Sequence, residues 1–462
     1  MEGHIFFLMW SKKLFHIKNN KMQKIILLLI TGILLFSCLE KKDHQPNSEL
    51  EFKMNSIAEA YVKLVLKIGQ HDADFVDAYY GPEEWKPAEL KHDGNDTLIH
   101  KQLSEEANRL LNELESFSNY EATKLETLRY RYLYKQILAA KTKLFMISGG
   151  KLSFDEESKA LYDAISPSYP EDHYRQIFNK LDMLLPGKGE ISKRVNDFKN
   201  QFIIPKEKLD IVFTTAIEEC RKRTLQHIPL PPNESFTVEY VINKPWGGYN
   251  WYKGNSYSVI QVNTDLQVFI DRAVDLSAHE GYPGHHVYNV LLEKNLYKQN
   301  GWVEFSIYPL FSPQSLIAEG SANYGIEVVF PGDSRIKFEK EVLFPLAGLD
   351  PDKADEYYKI LFLLNELEYA GNEAARNYID GKWNKDETKN WLIKYSLMTP
   401  EKAEKNIQFI EKYRSYVINY NLGKDIVKSY VEKKGGTSDN PDKRWEVFKV
   451  ILSAPQTPSG LK

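Results

Sequence analysis

The sequence predicts a mainly α-helical protein carrying one small antiparallel β-sheet, and three observations lead there. Apolar residues recur at spacings of three and four along most of the chain, strict alternation is confined to the stretch around residues 236 to 262, and Gly and Pro pairs cut the helical pattern into segments of ordinary length. With 462 residues, 42% of them hydrophobic, the chain can bury a large core. Sixty Lys and Arg against 64 Asp and Glu leave a net charge of −4 and no basic stripe, so nucleic acid is not an expected partner.

The first element is an export signal. From Met22 the sequence reads MQKIILLLITGILLFSC, and its apolar run from Ile25 to Phe36 is too short for a spanning helix of ~20 residues but suits the ~7–15 of a secretory signal. Leu35-Phe36-Ser37-Cys38 has the order of a bacterial lipobox, in which cleavage leaves a lipid-bearing cysteine at the new N-terminus. The expectation is an exported chain anchored to the bacterial membrane through Cys38. Residues 1–37 are then an N-terminal extension and signal, with Met22 a candidate start, and 38–50 form a lipid-anchored tether. Residues 51–462 form a single large helical domain. Its one cysteine is Cys220, so no intramolecular disulfide is expected.

In that domain, Ile57, Tyr61, Leu64, Val65 and Ile68 form one helical stripe, and Leu133, Ile137, Ala140 and Leu144 another that stops at Gly149-Gly150. Breaks follow at Gly81-Pro82, Ser166-Pro167, Pro186-Gly187, Pro205 and Pro229 to Pro232. Phe236, Val238 and Tyr240 then alternate with polar neighbours. Turns at Pro245 to Gly248 and Lys253 to Asn255 separate them from a second alternating run, Tyr257 to Asn263, which is expected to offer a strand edge to an extended peptide. Helices resume to about Lys433, and the GGTSDNPD that follows Lys434 reads as the start of a turn-rich surface tail.

Directly after the alternating stretch, His279 to His286 reads H-E-G-Y-P-G-H-H. Eleven histidines in the chain would put roughly 0.2 in a window of eight by chance, and this window holds three. Neutral imidazoles are zinc ligands, a catalytic zinc keeps one position for water, and a neighbouring Glu280 would be the base for that water. The usual spacing, H-E-x-x-H, is broken here because Pro283 stands where the second histidine would be. The helix must therefore bend or bulge. A bulge favours His285 beside His279, while His286 stays open as the alternative ligand or as a group supporting the site or touching substrate.

No histidine or cysteine follows His286, so a downstream ligand has to be a carboxylate. Pro313 to Phe330 reads as a helix with Ser312 at its N-cap and Pro313 first. Glu319 lies among Ala318, Gly320, Ser321, Ala322 and Gly325, where a buried carboxylate is costly unless paired or metal-bound. Glu319 is the expected third ligand of one zinc ion. Glu327 falls on another part of the circumference and reads as a solvated or capping charge. Trp246, Tyr249, Trp251 and Tyr252 either line a substrate cleft or pack.

The H-E-x-Y-P-G-H-H at His279 to His286, with E-G-S-A-N-Y at Glu319 to Tyr324, resembles the bacterial family called domain of unknown function 885, a zincin-like branch of metallopeptidases. The likeness extends over most of the exported domain, including Pro205 to Arg223 and Tyr420 to Gly423. It implies a zincin-like fold similar to the largely helical carboxypeptidases and oligopeptidases, and Tyr420 as donor to the developing oxyanion. Ser321 departs from the family's usual tryptophan, and Arg414 to Asn419 from a Pro-Gly-Gln-Ala-like stretch. The expected function is zinc-dependent hydrolysis of peptide substrates by a lipid-anchored metallopeptidase. The rival is an exported, aromatic-rich binding lipoprotein without catalysis, which has no need of a general base such as Glu280 beside a ligand.

Overall fold

Helix Ser48–Gly69 takes in the last residues of the expected tether and buries Ile57, Tyr61, Leu64, Val65 and Ile68, the stripe that its spacing dictates. It opens the part of the chain that a computed structural model describes, residues 48–88, 96–118, 122–244, 246–265 and 267–462. Cys38 and the export signal lie outside the described residues. Helix Lys124–Ile147 starts on a capping box made by Thr123 and Glu126 and buries Leu133, Ile137, Ala140 and Leu144. It stops where Gly149 takes up a φ of 91°. From here to the C-terminal residues the protein is mainly helical, with small sheets. No helix among the described residues is long and apolar enough to cross a membrane.

The strands are β1 (Val76–Tyr79), β2 (Ser235–Val241), β3 (Gly248–Tyr252), β4 (Tyr257–Asn263) and β5 (Ile307–Pro309). β1 pairs antiparallel with β5, and the other three form a sheet in the order β2, β4, β3. The alternation in β4 holds, with Ser258, Ile260 and Val262 turned into the core.

Two expectations about this sheet need correcting. It is mixed rather than wholly antiparallel: β3 and β4 form the hairpin, while β2 runs parallel to β4, from Ser235 opposite Tyr257 to Val241 opposite Asn263. Alternation reports which face of a strand is buried and is silent on its direction. For the same reason β4 is the central strand with both edges paired, so no free edge exists at Tyr257 to Asn263. The outer strand next to the cleft is β3.

The C-terminal segment also differs from expectation. GGTSDNPD links two helices, because Asn440 caps Lys443 N–H and Pro441 begins helix Pro441–Ser453. Trp445, Phe448, Ile451 and Leu452 of that helix are buried, as is Leu461 beyond it. The run Trp445, Phe448, Leu452 carries helical spacing, and the turn residues in front of it masked the signal.

What positions the site is the crossing of helix Pro313–Val329 with helix Ile418–Lys433. A Cβ on Gly320 would stand 2.3 Å from the carbonyl carbon of Gly423, and one on Gly423 would stand 2.7 Å from Leu316 O. Only hydrogen fits at either place, and the small residues around Glu319 are explained by that closeness. The approach carries Tyr416 and Tyr420 over Glu319.

Candidate metal centre

Helix Asp271–Leu276 widens into a π-helical turn, Ser277–Gly281, which carries His279 and Glu280. Tyr282 N–H then donates to Ser277 O at 3.0 Å and Gly284 N–H to Ala278 O at 2.9 Å, so Tyr282-Pro283-Gly284 doubles back on the turn. A new helix begins at His285. Gly284 makes the return possible, since a Cβ there would lie 1.9 Å from His279 O. Pro283 thus interrupts the helix without costing the second histidine. His285 Nε2 comes to 3.1 Å from His279 Nε2.

Glu319 completes the group. Its Oε2 lies 3.2 Å from His279 Nε2 and 3.7 Å from His285 Nε2, and one donor atom from each of the three residues falls within 4.8 Å of the others. Two ligand atoms each ~2.0–2.1 Å from a tetrahedral zinc stand roughly 3.3 Å apart. The observed spacings fit that geometry. The donor chemistry fits as well, since Glu319 Oε1 accepts from Tyr416 Oη at 2.9 Å while the buried Oε2 has no hydrogen-bond donor in good geometry. His279 Nδ1 lies 3.1 Å from Asn323 Oδ1, and Asn323 Nδ2 donates to Tyr420 O. A proton shared with Asn323 at Nδ1 leaves the Nε2 lone pair facing the group.

The electrostatics are those of a cation site. Burial opposes the charge of Glu319, yet His285 and His279 hold its carboxyl well below the usual range. Burial also works against a charge on His285, but Glu319, then Glu280 and Asp77, raise it to about 9.

His286 is not brought into this group. It is fully buried, with Nδ1 2.8 Å from Ser258 Oγ on β4 and Nε2 3.0 Å from Glu234 Oε1. Glu234 also accepts from the Tyr282 hydroxyl and from Arg221. The reversed chain that brings His285 to His279 points the next side chain into the sheet, so His286 fastens the loop and is no ligand candidate in this geometry.

The group opens on a cleft of about 1090 Å³. Glu280 lines it and is only 4% exposed, with its Oε1 facing Gly248 at the start of β3. Asn250 Nδ2 donates to its backbone oxygen. Tyr420 lines the cleft and is 37% exposed as a residue. Enclosure by the walls, helped by Glu319 and Glu280, pushes its phenol well above the ordinary value. Trp246, Tyr249 and Tyr252 also line the cleft, whereas Trp251 packs on Tyr249 and donates to Gln261. Glu327 is half-buried at the cleft wall and paired with Lys424 and Lys428, so it is an ion-paired group rather than the solvated or capping charge expected.

Three residues were missed in the sequence. Asn323 sits four after Glu319, a spacing that puts both on one helix face, and Tyr416 sits four before Tyr420. Both were readable in principle. Asp77 was not: it comes from β1, far away in sequence, and accepts from the Tyr249 hydroxyl beside the group. Burial raises Asp77 to about 6 despite that hydrogen bond.

No protein-family model matches the chain, and no curated protein matches it. Among solved structures it is similar to a candidate lipoprotein from Colwellia psychrerythraea, with a TM-score of 0.48 and 15% identity over 80% of this chain and 73% of that one. A candidate lipoprotein of unknown function from Shewanella oneidensis gives 0.43 and 12% over 79% of this chain and 71% of that one. An M32 carboxypeptidase from Deinococcus radiodurans gives 0.36 and 11% over 88% and 92%. Likenesses this weak say nothing about chemistry.

Proposed function

We propose that the chain is a zinc-dependent peptide hydrolase, anchored outside the cytoplasm through a lipid on Cys38. One observation carries the catalytic reading: two imidazole nitrogens and a carboxylate oxygen converge at metal-ligand spacing, with the carboxylate of Glu280 beside them in a large cleft. His279, His285 and Glu319 would hold the ion. Zinc bound there supplies a polarised carbonyl and an acidified water. Glu280 takes the proton from the attacking water and returns it to the leaving amine. Asn323 keeps His279 in the tautomer that ligation needs. Tyr420, across the cleft, donates a hydrogen bond to the oxyanion as it develops.

Substrate is held along β3. As the outer strand it pairs with β4 on one side only, and Gly248, Tyr249, Asn250 and Tyr252 face the cleft. An extended peptide can add to such an edge through its main chain. The anchor rests on the order of the apolar run, Ser37 and Cys38 in the sequence. With it go the division into signal, tether and catalytic domain, and the peptide and the membrane as partners.

The test is metal analysis of the purified exported domain, together with a peptide-library digest read by mass spectrometry. Near-stoichiometric zinc with cleavage that a chelator abolishes is the expected result. Zinc without any cleavage would put a non-catalytic binding lipoprotein in its place.

A further inference from the structure

β1 and β5 are out of step at one point. Val76 lies opposite Pro309 and Ala78 opposite Tyr308, so Asp77 is a bulged residue with no cross-strand partner. A bulge re-aims a side chain, and this one faces the cleft. One carboxylate oxygen accepts the Tyr249 hydroxyl from β3. No lysine or arginine is paired with Asp77 among the described residues. The groups that act on it electrostatically are His285, Glu319 and Glu280, so it belongs to the same end of the cleft as the metal-ligand group.

That end carries an excess of negative charge. Asp77, Glu280 and Glu319 are three carboxylates against two imidazoles, and a divalent ion would still leave one of them uncompensated. Glu280 supplies an independent indication. The residue is only 4% exposed, and its carboxylate faces the cavity with no hydrogen-bond or ion-pair partner among the described residues. The cleft's basic residues are held elsewhere, Arg272 by Asp275, Arg335 by Asp275 and Glu339, Lys424 and Lys428 by Glu327, and Arg444 by the carbonyls of Gly436 and Glu327, so none of them bonds Asp77 or Glu280.

Resting on the peptidase reading above, we infer that Asp77 is a specificity-determining residue that receives a cationic nitrogen of the substrate, either a free N-terminal ammonium or a lysine side chain. A charged hydrogen bond in a walled cleft is worth enough to separate a cationic ligand from its neutral counterpart by ~10-fold or more. Tyr249 orients the carboxylate without supplying the charge.

Calorimetric titration of the zinc-loaded full chain with three small probes tests this. Norleucinamide carries an α-ammonium, N-acetyl-lysinamide an ε-ammonium, and N-acetyl-norleucinamide no charge. At least one cationic probe should bind ~10-fold tighter than the neutral one, and which one does so identifies the source of the nitrogen. Asp77→Asn, which keeps an acceptor for Tyr249, should bring all three within about 2-fold, while Tyr249→Phe should keep the preference. Equal binding of the three probes to the wild type, or a preference that survives Asp77→Asn, overturns the inference. Because these are binding readouts, a chain that prefers cationic probes yet cleaves no peptide would sink the peptidase reading and leave this assignment standing.

Discussion

Gly320 and Gly423 meet backbone to backbone, and that contact sets how far Glu319 lies from Tyr416, whose hydroxyl it accepts at 2.9 Å. The packing of two helices and the orientation of a candidate metal ligand therefore depend on the same pair of missing side chains.

Gly423→Ala should cost about 2 kcal/mol or more, at the upper end of overpacking penalties, because the obstacle is main chain and cannot turn aside. Gly371→Ala, in helix Tyr369–Ile379, meets nothing within 4 Å and should be neutral or stabilising by ~0.5–1 kcal/mol. Denaturant melts of the two variants would show whether the crossing, rather than glycine replacement in general, is responsible.

His279→Ala, His285→Ala and Glu319→Ala should each lose stoichiometric zinc, whereas His286→Ala should keep it and lose stability. Removing His286 leaves Glu234 and Ser258 short of a partner inside the core, a loss of about 1–3 kcal/mol. Elemental analysis beside a thermal melt separates the two classes. Zinc retained by Glu319→Ala would redirect the search to another carboxylate.

Glu280→Gln keeps size and packing but cannot take a proton. Zinc content and melting temperature should stay at wild-type levels, while peptide hydrolysis falls by at least ~10²-fold, the lower range for a positioned general base. Wild-type turnover in this variant would rule out Glu280 as the base.

Metal uptake should depend on pH through His285. Its folded-state value near 9 lies above the ordinary 6.5, so the stability its charge lends the metal-free protein is full below pH 6.5 and is lost as pH rises through 9. Zinc must displace that proton. Apparent affinity, measured against a competing chelator between pH 6 and 8, should therefore climb by about one log unit per pH unit. Glu319→Gln removes the first cause of the raised value and should flatten the metal-free stability profile.

Cys38→Ala should move the chain from the membrane fraction to the soluble fraction and abolish labelling by a fatty-acid probe. Unchanged membrane partition in that variant would mean that something other than a lipid on Cys38 holds it there.

Much of this was readable in the residues, because burial and periodicity are local properties. The stripes at Ile57 to Ile68 and Leu133 to Leu144, the break at Gly149 and the glutamate helix behind Pro313 all follow from patterns within a few turns. The His279 and His285 pairing was favoured by the same logic, though a sequence could not say how Pro283-Gly284 would turn. What stayed hidden depends on chain direction or distance. Nothing in β2 indicates that it runs parallel to β4, and nothing near Asp77 indicates that a bulge opposite Pro309 and Tyr308 will deliver it to residues two hundred positions later. The closing helix is hidden for a plainer reason, since the turn-rich GGTSDNPD after Lys434 reads as a surface tail although it only links two helices.

That closing helix bears on the order of assembly. A chain is made from its N-terminus, so His279 and Glu319 emerge well before Gly423, against which the glutamate helix packs, and before Phe448, which packs edge-on to Tyr324 of that helix. Arg444 reaches the Glu327 carbonyl at the same helix's end. The ligand helix therefore has no finished seat while it is being synthesised. A nascent chain holding both histidines and the glutamate should bind metal loosely, and tight capture should follow only when residues 441–461 have docked.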